Sequence, residues 1–407
     1  MSQVVIIGAG PGGATLALLL AQRGIAVTLV EASRTFHRAF RGEGLMPSGL
    51  DALHQMGLES LLDTIPHRPL TAWEFWINGQ SPTGGTAKQP LFRVEEPLEP
   101  NGTPCTLVSQ SALLTALIDQ LSHYPQVEFV QGVAVHDLLK ADGRISGVTL
   151  ADGREIYASL VIATDGRNSV ARQRAKLALH HQSNAFDILW LRLADSPHFE
   201  TENVFYSIVQ GQQAFGLFRS SEGNLHVGWA LRDRSQDWKQ MDWAETLASA
   251  SPEWLADHFR TVATTIDRPV LLSVVVGRCP QWWVPGLLLL GDAAHPMSPI
   301  RAQGINMALR DSIVAANHLV PLLQQGASTE AINRVLPQIQ TAREPEIIRA
   351  QQLQQQEAAQ AELLGNYPLL QWGVSQFAPL IRYPIRFSWV ARQRQLRQGV
   401  TSVQLQV

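Results

Sequence analysis

Cysteine is nearly absent. The 407-residue chain has two, Cys105 and Cys279, too far apart for a CxxC motif. Neither a disulfide framework nor a thiolate metal centre is indicated, and a reducing compartment fits. Positive charge is not in excess either: 32 Lys and Arg stand against 35 Asp and Glu, for a formal net charge of −3. That removes the counterion-release drive of bulk nucleic-acid binding. No apolar run approaches the roughly 18 residues of a membrane span, and Met1 leads into VVIIGAG without a basic leader or cleavage site. A cytoplasmic protein is the expectation. With 45% hydrophobic and 16% charged residues the chain is globular, and at this length it outgrows one core, so two lobes are expected.

What is present begins at the N-terminus. VVIIGAGPGGATLALLLAQRGIAVTLVEA reads as a buried strand from about Val4 to Ile7, a glycine turn, a helix to about Arg23, a stop at Gly24 and a second strand ending at Glu31. Gly8, Gly10 and Gly13 match GxGxxG: a tight turn, close backbone approach to a pyrophosphate and close helix–strand packing, with helix N–H groups aimed at the phosphates. Glu31 lies at the distance expected of the acid that binds a ribose hydroxyl pair. A dinucleotide site is predicted, and the pattern alone does not separate FAD from NAD.

Further on, FRGEGLMPSGLDALHQMGL places Arg41 in a glycine-bounded loop before a helix near Pro47. Residues 73–100 are aromatic and glycine-rich, an excursion from the nucleotide lobe. Residues 126–163 read as a β-meander with ADGR turns, after which SLVIATDG returns to that lobe. Residues 183–276 alternate apolar and polar with recurrent aromatics, which predicts a mostly antiparallel sheet. The expected domains are a nucleotide-binding domain (1–72, 101–175 and 277–340), a second sheet domain (73–100 and 176–276) and a C-terminal helical segment (341–407).

Two more motifs complete the set. ATDGRNSVAR at 163 puts Asp165 after a buried strand, and GDAAHPMSPIRAQGIN at 291 puts Asp292 at the tip of a leucine strand, followed by a proline bend and a helix opening near Gly304. With GAGPGG at 8, these three motifs in this order resemble the para-hydroxybenzoate hydroxylase family of single-component (group A) flavin monooxygenases. The resemblance implies an α/β fold: a Rossmann-like FAD-binding domain of the GR2 type with a β-meander, and an α+β substrate domain. It implies FAD, reduced by a transient NADH or NADPH, and O2 consumed by way of a flavin hydroperoxide to hydroxylate an aromatic or phenolic small molecule. The single GxGxxG fits a nicotinamide nucleotide that has no domain of its own.

Carried over residue by residue, Gly8, Gly10, Gly13 and Glu31 would hold the ADP half of FAD. Arg41 and Gln110 would contact its linking region, Asp165 the pyrophosphate area and Asp292 a ribityl hydroxyl. Pro299 would border the isoalloxazine, with Gly304, Ile305 and Asn306 at its pyrimidine edge, where a helix N-terminus suits the negative charge of reduced flavin. Two departures stand out: Gln110 replaces an Arg of many members, and Ala302 in RAQG replaces a glycine while Arg301 brings charge beside the ring. Pro299 and Arg301 are the catalytic candidates.

In the sheet lobe, Trp190, Arg192, Tyr206 and His226 are candidate substrate contacts, and His180, His181, Tyr206 and His226 candidate bases for a phenol. His295 has no second ligand at helical spacing, so no metal is expected there. Residues 363–407 hold five arginines and no acid, interleaved with aromatics. That composition suits peripheral contact with an anionic membrane, or packing of the aromatics on the flavin lobe or a second subunit; monomer and homodimer both remain open. The alternative function is an FAD-dependent reductase or epoxidase acting on a lipophilic prenyl or quinone-type substrate; a non-catalytic flavin-binding module is the third reading.

Overall fold

In the computed structural model the described residues are 2–36, 43–77, 89–182 and 186–407. Strands β1 (Ser2–Ile7) and β2 (Val27–Glu31) run parallel with helix α1 (Pro11–Gln22) between them. Both strands are apolar on both faces because both are covered: Val4 and Ile6 join the core that contains α1, and Val5 and Ile7 join a second core behind the sheet. α1 opens on Pro11, where a missing N–H costs nothing.

The chain then passes through α2 (Pro47–Gln55) and leaves for the second lobe as β3 (Ala72–Ile77) and β4 (Phe92–Glu95), an antiparallel pair. It returns as α3 (Gln110–Leu121), capped by the Ser109 hydroxyl, which accepts from the Ala112 N–H. β5 (Val127–Gln131) pairs parallel with β2, so the meander expected from 126 is shorter than its sequence suggests. The alternation of VEFVQ reflects an edge strand with one half-open face, a pattern that mimics a hairpin arm. The meander proper is β6 (Val135–Ala141), β7 (Arg144–Leu150) and the start of β8 (Glu155–Ala163). The later half of β8 runs parallel to β1.

The second sheet adds β9 (Asp187–Leu193), β10 (Val204–Gln210), β11 (Gln213–Arg219), β12 (Leu225–Leu231) and β13 (Val270–Leu272). Its order is β13-β9-β12-β11-β10-β3-β4, antiparallel except where β10 meets β3. One face, with Leu189, Leu217, Val227 and Trp229, packs under α4 (Trp243–Ala250) and α5 (Glu253–Thr261). The other face turns toward the nucleotide lobe. β14 (Leu287–Leu289) then closes the parallel set β14-β8-β1-β2-β5.

Four helices follow: α6 (Gln303–Gln324), α7 (Thr329–Asn366), α8 (Pro368–Gln376) and α9 (Ala378–Gln398). α7 is continuous over 38 residues, so the boundary expected at 340 falls inside a helix. Beyond Gly399 the tail returns to the nucleotide lobe, where the Leu405 N–H donates to Gln55 Oε1 at 2.7 Å.

Candidate active site

The carboxyl ends of β1, β8 and β14 converge where an open parallel sheet binds nucleotides. Gly8 takes φ +96°, and a Cβ there would lie 2.7 Å from the Thr164 carbonyl; at Gly13 it would lie 2.0 Å from the Gly8 carbonyl. These two glycines are required by the protein itself. At Gly10 a Cβ would meet no atom of the described residues within 4 Å, so none of these demands a glycine there. Gly10 lines the main cavity and N-caps α1, which has no side-chain cap, so its first N–H groups stay available to a ligand. Glu31 accepts from the N–H groups of Ala9 (2.9 Å) and Ser33 (2.8 Å) and borders a small side pocket with Phe36 and Gln110. An ionised carboxylate retains lone pairs for ribose hydroxyls after two such bonds. Arg41 lies outside the described residues.

Asp165 lines the cavity; its Oδ2 accepts from the Ala171 N–H at 3.1 Å, while Oδ1 is buried with no partner among the described residues. Burial pushes its carboxyl up from the ordinary range. Asp292, on the turn after β14, lines the same cavity; a Cβ on Gly304 would sit 3.8 Å from its Oδ1. α6 begins one residue before Gly304, again without a side-chain cap, and Pro299, Gly304 and Ile305 border the cavity. Asn306 does not. Its side chain is fully buried, accepting from the Met46 N–H at 2.9 Å and donating to the Gly44 (3.1 Å) and Ala302 (2.7 Å) carbonyls. Asn306 therefore ties the helix start to the loop before α2 rather than presenting its amide to a ligand.

The bend itself is left-handed at two consecutive residues, Arg301 (φ +58°) and Ala302 (φ +49°). Arg301 is neither on the surface nor free: its guanidinium meets Glu357 at 2.9 Å and sits 5.1 Å from the ring centres of Trp73 and Trp389. It also lines the cavity, its charge balanced by Glu357, and it ties the aromatic wall to α7. Behind the bend, His295 Nε2 lies 2.8 Å from Asp311, which also accepts from the Gly291 N–H (3.0 Å) and from Arg343 (2.7 Å). Glu346 joins Arg343 to Arg310, and all of these groups are buried. Burial would raise the Asp311 carboxyl, but the His295 ring and Arg343 outweigh it and hold it well below the ordinary range. The sequence reading missed this cluster because its members are spread over 50 residues and meet only across two helices.

The main cavity, about 740 Å³, runs from this cradle onto the inner face of the second sheet. Trp190, Phe205 and Phe218 form its floor, Phe205 and Phe218 stacked 5.5 Å apart. A Cβ on Gly228 would press within 3.2 Å of the Trp190 ring, so the glycine lets that ring lie against the strand. Cys105 also borders the cavity, but burial pushes its thiol up to about 12, which removes it as a nucleophile. Arg192, on the strand face of Trp190, is outside the cavity: it is exposed and paired with Asp267 at 2.8 Å, so it is no substrate contact. Tyr206 is also corrected. It is buried on the opposite face under α5, its hydroxyl 3.3 Å from His198. His180 and His181 form an exposed two-residue strand away from the cavity. His226 shares the inward strand face of Gly228 but does not itself line the cavity; its Nδ1 lies 3.2 Å from Glu43, which does, and which the sequence did not mark because its loop offers no periodicity.

An unfilled Gly10 approach, an orphaned Asp165 oxygen and two uncapped helix N-termini facing one cavity fit a molecule with a pyrophosphate and a ring that gains negative charge. These residues fit FAD: Glu31 would meet its adenosine end, Gln110, which borders both the side pocket and the main cavity, its linking region, and Asp292, Pro299, Gly304 and Ile305 its ring end. When bound, FAD supplies hydride acceptance from NAD(P)H and activation of dioxygen.

Comparison with known proteins agrees. Residues 1–337 match the FAD binding domain family. The chain is 32% identical over 334 residues to 6-methylpretetramide 4-monooxygenase of Streptomyces rimosus, covering 77% of this chain and 74% of that protein. It is 26% identical over 323 residues to 3-demethoxyubiquinol 3-hydroxylase of Escherichia coli K12, covering 76% and 77%. The crystal structure of P. aeruginosa PqsL in complex with 2-aminobenzoylacetate superposes with a TM-score of 0.77 at 20% identity, covering 92% of this chain and 99% of that one. The chain belongs to the FAD binding domain family and is an FAD-dependent monooxygenase of the para-hydroxybenzoate hydroxylase type.

Proposed function

We propose that this enzyme uses NADH or NADPH and dioxygen to hydroxylate an extended phenolic aromatic. The substrate lies on the Trp190–Phe205–Phe218 floor with its reacting ring toward the Pro299–Gly304 bend. The observation that carries the reading is the continuity of one cavity from Gly10, Asp165 and Asp292 to an aromatic, largely apolar chamber. Such walls exclude water from a reactive oxygenating species, and planar rings suit a planar substrate. The names of the relatives, 6-methylpretetramide 4-monooxygenase and 3-demethoxyubiquinol 3-hydroxylase, support the same class.

Within this reading the Glu43 carboxylate, which lines the cavity, receives the phenolic proton and relays it to the His226 Nδ1 3.2 Å away, making the ring more electron-rich. Arg301 and Pro299 shape the bend, and the remaining cradle residues hold FAD. The same proposal includes peripheral attachment to a membrane through residues 363–407.

The test is a panel of phenols with FAD-loaded enzyme, following NAD(P)H oxidation with and without air and the mass of products formed under labelled dioxygen. Incorporation of one labelled atom supports the reading, whereas multiple turnover without oxygen favours a reductase. Asp292→Ala should lower the flavin retained on purification; full, tight occupancy in that variant contradicts the placement. His226→Gln should lower kcat/KM by about a hundredfold at a pH where the substrate phenol is protonated. The loss should shrink as pH rises and the phenol ionises unaided, and a pH-independent loss would assign His226 to packing alone.

A further inference from the structure

The two faces of α9 meet different surroundings. Ile385, Trp389 and Arg392 border the cavity, Trp389 almost completely buried. On the other side Leu380, Tyr383 and Phe387 are 76%, 63% and 78% exposed. Their spacing of three and four puts them in one stripe of α9, and α8, next in the chain before it, adds exposed Leu369 and Trp372. Among the described residues, nine of the fourteen exposed large apolar side chains fall between 363 and 387, so this is a patch and not scatter.

The charges beside the stripe decide what can cover it. Arg397 turns inward to Glu96, and Arg392 bonds Ser388 and Gln360. Arg382, Arg386 and Arg394 stay exposed, and residues 363–407 contain no Asp or Glu. A second copy docked by two-fold symmetry would set arginine against arginine with no acid of this segment to pair them. An anionic lipid surface satisfies both features, taking the apolar stripe below its headgroups and the arginines among them.

We propose that α8 and the outer face of α9 lie in the headgroup region of an anionic membrane, and that α9 passes a lipophilic aromatic substrate from that membrane into the cavity its inner face lines. The membrane contact stands on the exposed stripe and its charges; the transfer step also rests on the cavity being the substrate chamber proposed above.

Flotation of FAD-loaded enzyme tests the contact, using vesicles of phosphatidylcholine alone or with about one third phosphatidylglycerol. The wild type floats with the anionic vesicles only, and Arg382→Gln and Arg386→Gln each weaken binding about fivefold. Leu380→Glu/Phe387→Glu floats with neither while keeping its flavin and its far-ultraviolet spectrum. Wild-type enzyme that stays at the bottom overturns the contact, as does light scattering that shows a dimer dispersed by Leu380→Glu/Phe387→Glu.

Transfer is read from the flavin absorption change on adding nonylphenol. Delivered in anionic vesicles it should perturb wild-type flavin faster than that of Leu380→Glu/Phe387→Glu, and delivered from buffer it should perturb both equally. Equal rates from vesicles overturn the transfer step. No perturbation by either route overturns the chamber reading and the transfer with it, leaving the flotation result to decide the membrane contact by itself.

Discussion

Ala302 carries a methyl group in a left-handed conformation, φ +49°, where L-residues other than Gly, Asn and Asp seldom sit. The motif expectation of a glycine here therefore had a physical basis, and the chain meets the same backbone requirement with a costlier residue. Relief of that strain, less the greater freedom a glycine gains in the unfolded chain, predicts that Ala302→Gly stabilises the protein by about 1 kcal/mol. Thermal unfolding with flavin content held constant checks it, and a lower midpoint contradicts it. Arg301, on the same bend, is held by Glu357 and by the rings of Trp73, Phe75 and Trp389. Arg301→Gln would leave a largely buried Glu357 with the Gln393 amide but without its countercharge, and should cost about 3 kcal/mol of unfolding free energy in denaturant titration. Its nearness to the ring was legible in the motif; its partner, 56 residues away on α7, was not.

At the scale of elements, the start of α6 is positioned by polar groups buried behind it. Asp311 on α6 holds the Gly291 N–H and the His295 ring, and Arg343 and Glu346 on α7 hold Asp311 and Arg310. Arg310 and Glu346 also bind the tail, through the Thr401 carbonyl and the Val400 N–H. Asp311→Asn leaves Arg343 short of charge in a dry site, so a loss of about 3–5 kcal/mol is expected. The pH dependence has a definite sign. The folded-state carboxyls of Asp311 and Glu346 lie below their ordinary values, so their contribution is complete above the unfolded carboxylate range of about 4 and is lost as pH falls below it. Acid unfolding monitored by tryptophan fluorescence should start at a higher pH in a folded Glu346→Gln variant than a surface control such as Glu253→Gln. An unchanged acid midpoint would place the source of acid lability elsewhere.

For the whole molecule, one cavity is assembled from the first fifteen residues, the returns of β8 and β14, the second sheet and the C-terminal helices. A ligand that touches such distant segments binds only the folded chain, so added FAD should raise stability by about 4 kcal/mol at a thousandfold excess over its dissociation constant. A thermal shift that grows with the logarithm of FAD concentration checks this, and the shift should shrink in Asp292→Ala. The C-terminal helices make the chamber incomplete without them, since Trp389 and Glu357 form part of its wall and its tie to Arg301.

The nucleotide cradle could be read directly from the chain because its requirements are local: a turn of positive φ, close backbone approach and an N-terminal helix turn all fall within contiguous residues. The antiparallel lobe was likewise visible in its alternation, since a period of two marks a strand whose faces differ. Which face meets the ligand was not, because alternation is symmetric; only packing against α4 and α5 turned Tyr206 away and Trp190 inward. The His226–Glu43 pair, the Asp311 cluster and the two-sided character of α9 also had to await folding. Each depends on contacts between residues far apart in sequence, and such distances are set by how whole elements stack.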